Sequence, residues 1–176
     1  MITGMIKQPF TILVFLPANR ELPGFLRVYG PDKVGKQLVT CELVVPYDIP
    51  CRGKADNGRA IKAENPDRDP TKPFGDAPSG NFLPSRISRF NPPRKTFGRW
   101  AIRLEGQSGQ ALEAKEGGRT GLAIHGNRGN IKLMATYGCI RVFERDMEIL
   151  SKTIGDASVV VTVFEIDNWP LGIDGE

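Results

Sequence analysis

Residues 121–142 read GLAIHGNRGNIKLMATYGCIRV, a stretch that holds the only histidine of the protein, His125, and one of its three cysteines, Cys139. Each is joined to a glycine, in His125-Gly126 and Gly138-Cys139. Gly121-Leu-Ala-Ile-His-Gly reads as a short strand that delivers an imidazole at its end. Tyr137-Gly-Cys-Ile-Arg-Val reads as a turn feeding a second strand, with Cys139 at its mouth. A thiol becomes a useful nucleophile when a base takes its proton and its surroundings favour the thiolate. Glycine beside that thiol lets the backbone turn sharply and brings main-chain N–H groups near a reacting carbonyl. The bland alternative is a small buried hydrophobe and a satisfied core imidazole. Two strand ends carrying base and thiol favour a Cys–His acyl-transfer site instead.

The pattern His125-Gly126, a loop, then Thr136-Tyr137-Gly138-Cys139-Ile140-Arg141 is similar to the signature of the L,D-transpeptidase (YkuD-type) catalytic domains. That family reads His, a loop, then Ser/Thr-His-Gly-Cys, an apolar residue and Arg or Asn. A second piece, Gly75-Asp76-Ala77-Pro78-Ser79-Gly80-Asn81-Phe82, resembles the family's Thr-Pro-x-Gly-x-Phe/Tyr turn. The resemblance covers roughly residues 25–165. The sequence departs from the pattern at Tyr137, where the family has histidine, and in a loop before Thr136 that is shorter than in many members.

The resemblance implies a single, mainly β domain spanning residues 1–176, a β-sandwich with one helix near the C-terminus. It implies Cys139 as nucleophile and His125 as general base. In the acyl-transfer reading, the backbone carbonyl of Gly126 or another backbone oxygen orients the imidazole, in a triad whose third member is not a side chain. Backbone N–H groups of Gly138, Cys139 and Tyr137 hold the oxyanion. Arg141 lies two residues past the nucleophile and shares its face by strand alternation. There it clamps a substrate carboxylate bidentately or makes an ordinary surface ion pair. Thr136 and Tyr137 complete the substrate-binding set, Thr136 also as a bond within the turn. The implied substrates are peptidoglycan stem peptides, cleaved before a terminal D-alanine with the acyl group kept as a thioester. An amine, water or a free D-amino acid then resolves it, giving a 3-3 cross-link, an L,D-carboxypeptidase or an exchange enzyme. The implied place of action is the periplasm or cell wall.

Outward from the motif, 176 residues suffice for one domain with its own core. Twenty glycines and fourteen prolines predict short strands between many turns. The net charge of +4 suits an anionic polymer without demanding one. Phe10-Thr-Ile-Leu-Val-Phe-Leu16 is closed by Pro17 and lacks a basic n-region and a small-residue cleavage site. It reads as a buried strand and not as a signal peptide, so export follows a signal-independent route or needs a segment outside this chain. No stretch has the length of a membrane span.

Phe25–Tyr29 and residues 36–45 read as a hairpin or meander turned by Gly30-Pro31-Asp32. Residues 46–78 are polar and proline-rich and read as a long surface loop, a candidate wall of the substrate groove. Ile87–Phe90 and Trp100–Leu104 read as strands. The arginines between residues 86 and 103 alternate with Phe90, Phe97 and Trp100, a pattern that could bind nucleic acid. Half-buried strands with charged outer faces explain it better at this modest net charge, so no nucleic acid is expected; a basic wall beside an acidic stem peptide is a third reading.

Residues 144–153 read as the one helix, with Met147, Leu150 and Ile154 on its buried face. Residues 158–164 read as a buried strand, and residues 167–176 as an exposed end. No spacing of Cys, His and carboxylates predicts a metal site, and no cofactor is expected. Cys41 and Cys51 pair or stay reduced, reduced being the expectation. Two further classes remain. One is a secreted antibacterial wall-damaging effector with an immunity protein as partner. The other is a binding module with an inert Cys139.

Overall fold

The structure is a computed structural model that describes residues 9–30, 42–127, 129 and 132–167. Two mixed sheets and three short helices make a single β-rich fold. The first sheet begins with β1 (Phe10–Pro17) and β2 (Gly24–Gly30), which pair antiparallel. Alternation decides their faces: Ile12, Val14 and Leu16 of β1, with Leu26 and Val28 of β2, are fully buried. The outer face stacks Phe15 on Phe25 at 4.9 Å. Two short strands follow, β3 (Glu42–Leu43) and β4 (Ile49–Cys51), both antiparallel to β2. The turn expected at Gly30-Pro31-Asp32 and most of the strand expected over 36–45 lie outside the described residues, as does Cys41.

The stretch 46–78 is not the surface loop that its prolines suggest. It contains β4 and a helix, α1 (Asn57–Lys62), capped by the Asp56 side chain accepting from Arg59 N at 2.9 Å. Ile49, Cys51, Ala55, Ala60 and Ala77 within it are buried. Small side chains and a cysteine carry this burial, which a search for large apolar residues overlooks. Cys51 sits in the main core as a free thiol, and burial pushes its pKa up.

After β5 (Gly80–Asn81) the chain enters the second sheet through β6 (Ile87–Arg94) and β7 (Gly98–Arg103). β6 is an edge strand, where Pro92 and Pro93 cost no ladder bond that a central strand would need. A second unexpected helix, α2 (Gly109–Glu116), follows; it buries only Ala111 and Ala114, too small a stripe to read as an amphipathic face. The sequence thus predicts one helix where the described residues hold three. β8 (Ala123–His125) and β9 (Ile140–Arg141) complete the second sheet in the order β6-β7-β8-β9, with β8 and β9 parallel.

α3 (Glu144–Ile154) has Glu144 and Asp146 in its first turn and Lys152 in its last, as the helix dipole favours. It buries Met147, Leu150 and Ile154. β10 (Val159–Ile166) then returns to the first sheet, parallel to β1 and antiparallel to β5. Residues of both sheets and of α3 meet in one core, Ile12, Leu26, Ile102, Ile124, Ile140 and Leu150 among them. Among the described residues no helix is long and apolar enough to cross a membrane.

Candidate active site

The register of the second sheet places the two reactive side chains on one face. Ile124 pairs with Ile140 and both enter the main core, so their neighbours point the other way. His125 is level with Arg141, and carrying the register back one position from Ile124–Ile140 sets Ala123 beside Cys139, with which it packs. Cys139 accordingly leaves the main core and packs with Ala101 and Ala123 beneath Phe90 and Phe97. It stands one diagonal step from His125, a separation of about 8 Å between Cα atoms for one strand spacing and two residue rises. Imidazole and thiol both line one cavity of about 610 Å³, together with Arg141, Tyr137 and Phe74.

His125 is 1 % exposed, and its Nδ1 lies 2.6 Å from the carbonyl oxygen of Gly126. A carbonyl can only accept, so Nδ1 carries the proton and the neutral ring keeps its lone pair at Nε2. Burial lowers the His125 pKa to about 4; the Gly126 bond opposes this and the Arg141 charge adds to it. Phe97, in the β6–β7 turn, tilts against the ring with centroids 4.6 Å apart. Cys139 is 7 % exposed, and its thiol donates to Gly121 O at 3.6 Å. Burial pushes its pKa up, while the Ala123 N–H and the guanidinium groups of Arg119 and Arg141 pull it down. Both groups are therefore neutral near pH 7.

The turn before the thiol is clasped by Thr136. Its hydroxyl donates to Cys139 O at 2.9 Å and accepts from Gly138 N at 3.0 Å. The Thr136 hydroxyl thus makes the expected bond within its own turn, and Thr136 also lines the cavity. One expectation is corrected: the Gly138 N–H is already engaged and is not a free oxyanion donor. Among the described residues no backbone bond engages the N–H of Cys139 or of Tyr137. Tyr137 is half exposed at the cavity rim, edge-on to Phe74 at 5.8 Å and under the Arg59 guanidinium at 5.0 Å. Arg141 is 7 % exposed, with Nη1 donating to the Asn127 amide oxygen at 2.8 Å when that amide is turned to satisfy both of its ends. It is not the surface ion pair of the alternative expectation.

The sequence reading missed Arg119. The helix α2 ends in glycines, and Arg119 N returns to Ala114 O at 2.9 Å, which aims the side chain inward. The guanidinium, 6 % exposed, donates to Asp76 O at 2.9 Å, Gly75 O at 2.6 Å and Gly138 O at 3.4 Å, and also to Pro70 O. Burial lowers its pKa to about 10, still cationic at neutral pH. Because a trans peptide points its carbonyl and N–H to opposite sides, fixing the Gly138 carbonyl also fixes the direction of the Cys139 N–H. An isolated arginine between glycines and a threonine carries no such signal in sequence.

The stretch 46–78 builds a wall of this site. Arg52 and Arg141 exchange backbone bonds at 2.8 and 2.9 Å, and Thr136 N donates to Lys54 O at 3.0 Å. Asp76 accepts from Ala55 N at 2.7 Å and from Arg68 at 3.2 Å, tying this wall to the carbonyls that Arg119 holds. Glu144 supports the other side, accepting from Arg99 N at 2.6 Å. Among the described residues no group of three or more His, Cys, Asp or Glu could hold a metal ion.

No family model matches the chain, and no curated protein matches it. Among solved structures it is similar to Bd1075 of Bdellovibrio bacteriovorus, at 16 % identity and a TM-score of 0.56, over 92 % of this chain and 50 % of that one. It also aligns with the helical cell shape determining protein Pgp2 of Campylobacter jejuni, at 20 % identity and a TM-score of 0.45, over 92 % of this chain and 50 % of that one. The chain spans about half the length of these solved chains. At such identity the likeness is one of fold: nearly the whole chain is similar in fold to Bd1075.

Proposed function

We propose that the protein is a cysteine acyltransferase of the L,D-transpeptidase type, a β-sandwich enzyme acting on peptidoglycan stem peptides. The observation that carries this reading is the shared cavity: a thiol and an imidazole on one sheet face, the imidazole held by the Gly126 carbonyl with Nε2 left basic. The substrate class comes from the motif around Cys139 and the turn at residues 75–82. Arg141, buried and lining the cavity, suits a substrate carboxylate.

In the first half-reaction His125 Nε2 takes the thiol proton as sulfur attacks the scissile carbonyl. The S–C bond forms, and the oxyanion is met by the N–H groups of Cys139 and Tyr137. The C–N bond then breaks, His125 returns its proton to the leaving D-alanine amine, and a thioester remains. In the second half-reaction an acceptor amine or water gives a proton to His125 and attacks the thioester carbonyl; the C–N or C–O bond forms, the C–S bond breaks, and the proton returns to the Cys139 sulfur. The groups named act on any acceptor, so transpeptidation, carboxypeptidase action and D-amino-acid exchange share these steps.

The test is incubation with purified muropeptides, read by mass spectrometry beside a Cys139→Ala control. Loss of D-alanine, a cross-linked dimer or a swapped terminal residue names the acceptor. No product and no acyl adduct on Cys139 would leave the site an inert thiol in a β-rich binding module.

A further inference from the structure

A second cavity of about 450 Å³ adjoins the first on the sheet face that carries Cys139, and the two share Phe97, Gly121 and Leu122. Ala101 and Ala123 belong to its lining, and both also pack against Cys139. Arg103 is the register partner of Ala123, which the carried-back register sets beside Cys139 across the parallel pair. Arg103, Ala123 and Cys139 thus form one row over three adjacent strand positions, with side chains on one face. Two strand spacings, about 10 Å, separate the ends of that row. Arg86 and Arg94 line the same cavity, and among the described residues no acidic side chain does.

Among the described residues none of these three arginines is ion-paired to a carboxylate. Glu105, two positions past Arg103, is ion-paired to Lys115 at 2.7 Å and feels the Arg103 charge only as a lesser, through-space attraction. Three like charges around one opening favour an incoming anion, and guanidinium groups suit carboxylates by shape as well as by charge. The cavity's aromatic rings are engaged elsewhere: Arg94 sits over Phe90 at 4.3 Å and Phe97 lies against His125, which argues against base stacking.

We propose that Arg86, Arg94 and Arg103 form a carboxylate subsite for the peptide whose carbonyl Cys139 attacks. The proposal deepens the acyl-transfer reading and rests on it for the direction of the peptide. An extended peptide rises about 3.3 Å per residue, so a carboxylate two or three residues from the scissile bond reaches the arginines when the peptide crosses the strands.

The experiment titrates the Cys139→Ala protein by calorimetry with a synthetic acidic tetrapeptide and with the same peptide amidated at its internal carboxylates. The acid should bind about tenfold more tightly than the amide, and that preference should shrink as salt rises. Adding Arg103→Glu, or Arg86→Glu with Arg103→Glu, should erase the preference, and Arg103→Lys should restore part of it. Equal binding of acid and amide, or a preference that survives both charge reversals, overturns the subsite. The salt series on the protein with its arginines intact decides the matter if the reversed variants do not fold. Turnover by the wild type is read separately. Acid preference without turnover keeps the subsite and removes the acyl-transfer reading, and turnover without acid preference does the reverse.

Discussion

Arg119 Nη2 donates to the carbonyl of Gly138 at 3.4 Å, and a methyl group placed on Gly138 would overlap that same nitrogen. Gly138 also sits at φ +107°, a backbone conformation that side chains with a Cβ rarely adopt. The glycine before Cys139 is thus required twice, by its own torsion and by the guanidinium packed against it. Gly138→Ala should cost about 1–3 kcal/mol in backbone strain alone and displace the Cys139 N–H. Thermal unfolding together with the rate of Cys139 acylation, followed by intact mass, checks this.

Arg119 itself acts through the backbone that it holds. In Arg119→Ala the buried carbonyls of Gly75, Asp76 and Gly138 lose a donor, at about 1–3 kcal/mol for each one left unsatisfied. The Arg119 charge pulls the Cys139 pKa down, so its removal should move the pH profile of thiol alkylation to higher pH. Arg119→Lys keeps the charge and should leave that profile near wild type while turnover falls. An alkylation profile unmoved in Arg119→Ala would confine Arg119 to a purely structural part.

Cys139→Ala should abolish thioester formation outright. His125→Ala should slow acylation by about 10²–10⁴-fold, the range for loss of a positioned general base. Stopped-time intact-mass measurements resolve both, and full activity in either variant would remove the mechanism.

Burial depresses the His125 pKa from its ordinary value to about 4. Protons bind the unfolded histidine more readily than the folded one, so stability rises with pH through this window. The contribution is complete above the unfolded value of about 6.5 and is lost as pH falls from there through about 4. Activity that needs the neutral ring should persist below pH 6 and fail near pH 4. A pH series of melting temperature for wild type against His125→Gln, beside the acid limb of kcat/KM, measures both effects.

Gly126 supplies the carbonyl that fixes the His125 tautomer, and an added Cβ there would overlap the Glu144 carboxylate and, less severely, press on the Glu144 Cα. Gly126→Ala should therefore lower kcat by tilting the imidazole. If that clash is the cause, pairing Gly126→Ala with the shorter Glu144→Ala should recover part of the rate.

The placement of His125 and Cys139 on one face was legible in the sequence because glycines mark the turns beside them and the strand period of two fixes which neighbours share their face. The apolar runs at residues 10–16 and 158–164 were legible as strands too, but nothing local pairs them parallel to each other. Residues 46–78 were misread because their burial is carried by Ala55, Ala60, Cys51 and Asp76, which look like loop residues in sequence. By itself, then, the sequence determined the strand ends, the shared face of thiol and base, and the glycine that the turn requires. Only the tertiary structure decided that Thr136 takes the Gly138 N–H, that Arg119 holds the peptide before the thiol, and that Phe97 covers the imidazole. The reason is physical: which donor satisfies a buried carbonyl, and which ring keeps water from a base, depend on segments far apart in the chain that meet only when it folds.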